Sequence, residues 1–260
     1  MILLHAPKSF FASLVHQKIA VEVGVFKGRF AQQCLKYEPQ QLYLIDPYDS
    51  SKFGKLTPDD FHGPDPSKEI EDVFSEYYQG GIQNSLEEAS KQLKEIIEPH
   101  AMKDRVTFVE LDSEQASKNF DEGSIDFIHI DANNRYDYVY ANLKRWAPKI
   151  KPNGIMLIDN CYVSHVGKKQ HISSLEAVST FLKLSDWAPI ALSTHHFSNL
   201  AICRREFVKE WMQNIHLLCH QNKVFCIELP RSLLHSYHHT GFKFRDSNGQ
   251  QTEFWVPSFN

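Results

Sequence analysis

The chain has 260 residues, of which 42% are hydrophobic and 23% charged, so it can bury a large core and does not have the composition of a disordered protein. Its 28 Lys and Arg residues stand against 32 Asp and Glu residues, a formal net charge of -4, which disfavours nucleic acid as a partner. The longest apolar runs have the length of a strand and Met1–Val15 has no secretory pattern, so we expect a cytoplasmic protein without a membrane span. Five cysteines without a C-x-x-C pair favour reduced thiols and disfavour a disulfide framework or a zinc site.

Short β-rich runs alternate with segments of helical period along most of the chain. The predicted strands are Lys18–Gly24, Leu42–Asp46, Val106–Leu111, Ile125–Asp131 and Gly154–Asp159. Helical steps follow Leu86, Ala89, Leu93 and Ile96, then Val139, Leu143 and Trp146, and then Leu175, Val178 and Leu182. Strands that are apolar on both faces and separated by helices predict a parallel sheet covered on both sides. Two later runs, Pro189–Thr194 and Leu200–Cys203, predict an antiparallel hairpin that closes the sheet.

Two segments do not fit this alternation. Pro47–Gly81 is rich in Pro, Gly and Asp and is too long for an ordinary link, so it predicts an inserted lid or pocket wall after the second strand. Glu206–Asn260 begins with a helical pattern and ends in a polar, aromatic tail, which predicts an appendage or an oligomer contact. We therefore predict a main domain of residues 1–205 and a C-terminal helical extension and tail of residues 206–260.

The candidate site lies where the predicted strands end, because ligands of an open α/β sheet bind outside the carboxyl ends of its strands. The first strand leads into an E-x-G-x-x-x-G motif of Glu22, Gly24 and Gly28, whose glycines allow a tight turn and a close approach to a ligand. Asp46 ends the second strand and is placed to accept hydrogen bonds from ribose hydroxyls. The three-glycine pattern of the dinucleotide-binding fold is absent, which disfavours a nicotinamide cofactor.

From Lys18 to Arg205 these features resemble the class I S-adenosylmethionine-dependent methyltransferases. The resemblance implies a Rossmann-like, doubly wound, mostly parallel sheet of seven strands and S-adenosylmethionine as the cofactor. The cofactor contacts that it implies are Glu22, Gly24, Phe26, Lys27, Gly28, Asp46, Asp112, Ser113 and Asp131, with Asp112 and Ser113 near the adenine. Simpler alternatives are a tight turn at the glycines, packing of Phe26 beneath the loop, and a helix cap at Asp112.

Two segments, Ile128–Tyr136 and Pro148–Asn160, resemble the metal-dependent small-molecule O-methyltransferases of the catechol, caffeoyl-coenzyme A and macrocin types. That resemblance implies a divalent ion held by Asp131, Asp159 and Asn160, and their oxygen donors suit Mg²⁺. The implied reaction is O-methylation of a small acceptor, a phenol, catechol or sugar hydroxyl, which the ion positions and activates. Alternatively, Asp131 only hydrogen-bonds the cofactor and the other two residues only cap a loop.

The general base is where the sequence departs from those families. They carry a Lys or a His three residues after the metal-binding Asp, where this chain has Asn134, which cannot accept a proton at neutral pH. His165 and His62 are candidate substitutes, so we predict Asp131 and His165 as the catalytic residues. The missing Lys favours an alternative, a metal-independent N- or C-methyltransferase of the same fold. A non-catalytic protein that binds S-adenosylmethionine is a third alternative, and by analogy the chain could form a homodimer.

Overall fold

The computed structural model describes residues 1–53, 81–161, 173–195, 198–245 and 251–259. Its strands are β1 (Ile2–Leu4), β2 (Ile19–Val23), β3 (Gln41–Ile45), β4 (Val106–Val109), β5 (Ile125–Ile130), β6 (Ile150–Ile158), β7 (Trp187–Ser193), β8 (Asn199–Arg204), β9 (Cys226–Glu228), β10 (Tyr237–Arg245) and β11 (Gln251–Phe259). Its α-helices are α1 (Arg29–Leu35), α2 (Ile82–Ile97), α3 (Ser113–Ser117), α4 (Tyr136–Trp146), α5 (Ser174–Lys183) and α6 (Val208–Gln221). The 3₁₀ helices include Lys8–Val15 and Ser50–Phe53. No helix in these ranges has both the length and the apolar character needed to cross a bilayer.

The described strands up to β9 form one sheet in the order β4-β3-β2-β5-β6-β8-β7-β1-β9. Strands β2 to β6 pair in parallel with their neighbours, whereas β8 is antiparallel to both β6 and β7. The predicted α/β class, with a mostly parallel sheet and an antiparallel hairpin, is therefore confirmed.

The predicted number of seven strands is too low, because β1 and β9 extend the sheet beyond β7. β1 pairs in parallel with β7 and antiparallel with β9, so it is an internal strand of the sheet. Both added strands have only three residues, which is too short for an alternating or continuous apolar pattern to identify them.

Helices cover both faces of the sheet, as the doubly apolar strands predicted. Buried residues of α1, α2 and α6 pack on one face together with the 3₁₀ helix Lys8–Val15, and those of α3, α4 and α5 pack on the other. The helical period of α2 placed Ile96 on the buried face, which is wrong: Ile96 is 46% exposed and Ile97 is 3% exposed. Eleven residues separate Leu86 from Ile97, which is close to three full turns. All five cysteines are free, as predicted, and four of them are buried.

Residues 206–260 contain the predicted helix and additional strands. Helix α6 buries Val208, Trp211 and Ile215 against the core, and the Trp211 indole N–H donates to the carbonyl of Asn153 at 2.9 Å. Strands β10 and β11 form a separate antiparallel pair, which the sequence analysis did not identify in the polar tail. The boundary at residue 205 stays a prediction. So does the lid, since residues 54–80 of the predicted insertion lie outside the described ranges.

Candidate active site

Four residues of the predicted site follow directly on neighbouring strands at one edge of the sheet. Gly24, Asp46, Asp131 and Asp159 come after β2, β3, β5 and β6. The backbone N–H groups of Gly24, Asp131 and Asp159 each donate to a carbonyl at the end of an adjacent strand, at 2.9, 2.8 and 3.0 Å. β2 lies between β3 and β5, so the order of the strands reverses there. Such a switch point at the carboxyl ends is where open α/β sheets bind their ligands.

The glycine loop is packed against the end of β5. Gly24 has φ +86°, and a Cβ built on it would lie 2.1 Å from the carbonyl oxygen of Asp131. Gly28 has φ +61°, and a Cβ there would lie 2.4 Å from the side chain of Leu93. Glycine is needed at both positions, because the backbone is left-handed and a neighbouring group fills the space that a Cβ would take. The tight turn of the motif is therefore confirmed, whereas contact of the two glycines with a cofactor stays a prediction.

Asp46 fixes the shape of that loop through both of its carboxylate oxygens. One oxygen accepts the backbone N–H groups of Val25 and Phe26 at 3.0 and 2.9 Å, and the other accepts that of Tyr48 at 2.9 Å. Each carboxylate oxygen can accept more than one hydrogen bond, so these contacts leave capacity for a ribose hydroxyl. Asp46 as a ribose ligand remains a prediction.

Phe26 and Lys27 lie on the loop itself. Phe26 packs against a small apolar cluster that includes Tyr48 and Leu86, which is the packing role that the sequence allowed. Lys27 is exposed, and its ammonium lies 5.2 Å from the centre of the Phe26 ring. A position of either residue beside a cofactor stays a prediction.

Glu22 lies in the sheet beneath the site, beside a residue that the sequence analysis missed. Glu22 on β2 pairs with His129 on β5, and one carboxylate oxygen lies 3.6 Å from the ring Nδ1 of His129. Burial raises the pKa of Glu22 well above its ordinary value and lowers the pKa of His129 to about 3. The neutral forms are therefore favoured. Both ring nitrogens of His129 and one oxygen of Glu22 have no hydrogen-bond partner in the described ranges, which makes this a buried polar pair in an otherwise apolar layer.

Asp131 and Asp159 converge on one cation, the side-chain ammonium of Lys8. The Lys8 Nζ donates to Oδ2 of Asp131 at 2.5 Å and to Oδ2 of Asp159 at 3.1 Å. Burial alone would lower the pKa of Lys8, but the two carboxylates outweigh it and the pKa is raised above its ordinary value. Burial and then the charge of Asp159 raise the pKa of Asp131. Burial is also the largest effect on Asp159, but the Lys8 ammonium, together with His129 and a hydrogen bond to Asp131, outweighs it and lowers the pKa of Asp159. The Lys8 ammonium therefore offsets negative charge at this edge of the sheet from within the chain.

Two of the three predicted metal ligands, Asp131 and Asp159, are neighbours as expected, and Asn160 as a ligand stays a prediction. Among the His, Cys, Asp and Glu side chains of the described residues, the group that lies within 4.8 Å of both aspartates is His129. Asn160 has φ +55°, and its backbone N–H donates to Oδ1 of Asp159 at 3.0 Å, so it shapes the turn after β6. Mg²⁺ binds carboxylate oxygens at about 2 Å, and an ion on the oxygens that bond Lys8 would enter the space of the ammonium. The donors suit a divalent ion in kind, but they do not fit one while Lys8 is in this position.

Asp112 and Ser113 have clear structural roles at the start of α3. Asp112 caps the helix, because its Oδ1 accepts the backbone N–H of Gln115 at 2.8 Å, and the helix cap expected as an alternative is thus confirmed. The Ser113 hydroxyl donates to the side-chain carbonyl of Asn142 at 2.7 Å and accepts the indole N–H of Trp146 at 2.8 Å. Contact of either residue with adenine stays a prediction.

Both histidines that were candidates for a general base lie outside the described residues. His165 falls in residues 162–172 and His62 in residues 54–80. Asn134 is described, and its carbonyl accepts the backbone N–H of Ser173 at 3.0 Å, so it fastens the chain at the start of α5. Asp131 is therefore the one predicted catalytic residue whose surroundings are defined. The sequence signal for Lys8 was weak, a lone lysine in the stretch Met1–Val15.

The fold resembles several solved structures at low identity. A protein from Corynebacterium glutamicum has a TM-score of 0.51 at 10% identity, covering 77% of this chain and 83% of its own. A methyltransferase from Podospora anserina with bound SAH has a TM-score of 0.50 at 16% identity, covering 75% of each chain. An O-methyltransferase from Bacillus cereus, also in complex with SAH, has a TM-score of 0.50 at 13% identity, covering 76% of this chain and 82% of its own. At such identities the likeness shows the fold.

The sequence itself matches a known family over residues 21–161, described as a methyltransferase domain. No curated protein matches the chain significantly. The matched residues include the glycine loop and the strand ends that carry Asp46, Asp131 and Asp159, whereas Lys8 lies before them. The match spans more than half of the 260 residues, so the chain belongs to the methyltransferase domain family, and the enzyme class predicted from the sequence, an S-adenosylmethionine-dependent methyltransferase, is confirmed.

Proposed function

We propose that this protein methylates a hydroxyl group of a small acceptor, such as a phenol, a catechol or a sugar, with S-adenosylmethionine as the methyl donor. The observation that carries the proposal is the position of the acidic pair beside the glycine loop. A Cβ on Gly24 would meet the carbonyl of Asp131 at 2.1 Å, and Asp159 shares a cation with Asp131. Groups that can bind the donor and groups that can act on the acceptor therefore lie at one edge of the sheet.

Transfer of a methyl group to a hydroxyl requires a proton acceptor and a fixed geometry, and the residues at this edge of the sheet can supply both. When bound, S-adenosylmethionine supplies an electrophilic methyl group, which leaves S-adenosylhomocysteine after transfer. The acceptor hydroxyl loses its proton, and a carboxylate of the Asp131 and Asp159 pair can accept it. The ammonium of Lys8 bonds both carboxylates, so it holds them in place for an acceptor.

Two variants of this function differ in their need for a metal. O-methylation assisted by Mg²⁺ requires Lys8 to leave the oxygens that it now bonds. The alternative, metal-independent transfer, including transfer to nitrogen or carbon, is favoured by the ammonium between the carboxylates. A role in binding without catalysis is disfavoured, because an idle site has no need for two neighbouring acids that burial destabilises.

Calorimetry and transfer of labelled methyl groups test the proposal. We expect S-adenosylhomocysteine to bind and NAD not to bind. We expect label from S-adenosylmethionine to appear on the oxygen of one or more members of a panel of phenols, catechols and sugars, as identified by mass spectrometry. Label on nitrogen or carbon would support the alternative, and failure to bind S-adenosylhomocysteine would contradict both.

A pair of variants then locates the reaction. Asp131→Asn should lower the transfer rate by roughly a hundredfold or more, as expected when a proton acceptor is lost. The matched control is Asp126→Asn, since Asp126 also bonds a lysine, Lys151 at 2.8 Å, but lies near the opposite end of β5. Equal loss in the two variants would mean that Asp131 acts through stability alone.

A further inference from the structure

We propose that Lys8 is a built-in cation that takes the place of a divalent ion between Asp131 and Asp159, so that the site operates without bound metal. The inference deepens the proposed function and rests on it for the role of the site. Its basis is geometric: one ammonium bonds an oxygen of each carboxylate, at 2.5 and 3.1 Å, where an ion shared by the two residues would have to lie.

The fold holds Lys8 in this position through the backbone that precedes it. Leu4 pairs with Ser193 in register between β1 and β7, and the carbonyl of Leu4 accepts the backbone N–H of Thr194 at 2.9 Å. The Ser193 hydroxyl also donates to the carbonyl of Ala6, two residues before the lysine. These contacts hold the backbone before Lys8 against the sheet. The position from which the Lys8 side chain extends is therefore fixed.

The segment that follows Lys8 is fixed as well. Lys8 is the first residue of the 3₁₀ helix Lys8–Val15, whose buried residues belong to the core on one face of the sheet: Phe11, Ala12, Leu14 and Val15. A lysine between a sheet strand and a buried helix has less freedom than a lysine on a surface loop. The ammonium is therefore part of the folded structure of the site.

The charges of the cluster oppose the addition of a divalent ion. Lys8 supplies one positive charge to the two carboxyl groups, and the side chains of Asp131, Asp159 and Lys8 are only 23%, 9% and 32% exposed. A divalent ion on the same oxygens would lie next to the ammonium, and like charges at such a distance repel strongly where solvent is largely excluded. Lys8 and a metal ion therefore compete for one place.

Lys8 also comes from outside the part of the chain that carries the family match. The match begins at residue 21, so the glycine loop and both aspartates lie within it and Lys8 does not. The cation is thus supplied by the added segment of β1 and the 3₁₀ helix that follows it.

Ion titrations of the wild-type protein and of Lys8→Met test the inference. Mn²⁺ binding is followed by electron paramagnetic resonance of the free ion, and Mg²⁺ binding by calorimetry. Met keeps a long apolar side chain and removes the charge. We expect Lys8→Met to bind Mn²⁺ more tightly than the wild type by roughly tenfold or more, because two carboxylates without a counter-charge attract a divalent ion. Added Mn²⁺ should raise the Tm of the variant and leave that of the wild type unchanged.

The matched control is Lys151→Met. Lys151 Nζ lies 2.8 Å from Oδ2 of Asp126, and the exposures of these side chains, 35% and 18%, are similar to those of Lys8 and Asp131. Lys151 bonds one carboxylate where Lys8 bonds two, so its removal leaves no pair of acids to chelate an ion. We expect no gain in Mn²⁺ binding.

The inference would be overturned if the wild-type protein bound one equivalent of Mn²⁺ and Lys8→Met bound it no more tightly. The wild-type titration alone also tests it if the variant does not fold, since stoichiometric Mn²⁺ binding that Asp159→Asn abolishes would contradict it. Ion binding is measured without an acceptor or methyl transfer, so this failure is distinct from failure of the proposed function. With an acceptor identified, transfer by the wild type should be unchanged by EDTA.

Discussion

Substitution of Gly24 by Ala tests the packing of the glycine loop directly. The added Cβ would lie 2.1 Å from the carbonyl oxygen of Asp131, 2.5 Å from its carbonyl carbon and 2.7 Å from Cα of Ala132, so only a shift of backbone could relieve the contact. The left-handed backbone at φ +86° costs an alanine about 1–2 kcal/mol. Forcing an extra methyl group into a packed place costs roughly 1–3 kcal/mol more. We therefore expect Gly24→Ala to lower the free energy of unfolding by about 2–5 kcal/mol.

Gly123→Ala separates the two contributions, because Gly123 has φ +63° but, its two chain neighbours apart, no atom of the described residues lies within 4 Å of the position of its Cβ. This control should lose only the backbone contribution of about 1–2 kcal/mol. Urea unfolding of both variants gives the difference, and calorimetry with S-adenosylhomocysteine shows whether the shift at Asp131 also weakens binding. Equal destabilisation of the two variants would refute the argument from close approach.

Three further predictions concern other parts of the site and the core. Ser113→Ala should lower the free energy of unfolding by about 1–3 kcal/mol, because Asn142 and Trp146 lose their shared partner, and urea unfolding measures this; a change near zero would contradict the assigned structural role. Asp46→Asn should cost about 1.5–3 kcal/mol, since three backbone N–H groups lose a charged acceptor, and should weaken S-adenosylhomocysteine binding in calorimetry. In the folded protein Ellman's reagent should react rapidly with Cys226 alone, because the other four thiols are buried, and a second rapid thiol would conflict with the packing.

The strand ends of the site were predictable because of how parallel sheets are built. Strands buried on both faces appear in the sequence as continuous apolar runs, and the carboxyl ends of neighbouring parallel strands share one edge. Those two rules placed Gly24, Asp46, Asp131 and Asp159 at one edge of the sheet. The pairing of Asp131 with Asp159 was implied by the resemblance to the metal-dependent O-methyltransferases.

Lys8 and His129 were not predictable from such patterns. Lys8 meets Asp131 across 123 residues of sequence, from the start of a 3₁₀ helix whose sequence has no periodic signal. His129 is a buried residue of a mostly apolar strand, and its proximity to Glu22 depends on the register between β2 and β5. Sequence periodicity identifies which face a residue takes but does not identify its partner on another strand.

The location of β1 between β7 and β9 has a consequence for synthesis of the protein. β1 emerges early from the ribosome, yet its partners on either side are made after most of the chain. A pairing between segments this far apart in sequence pays a large loop-closure entropy and forms slowly. A nascent chain can thus fold its glycine loop well before Lys8 reaches Asp131 and Asp159. The contact of Lys8 with the two acids would then form late in folding, after β7 and β9 have paired with β1.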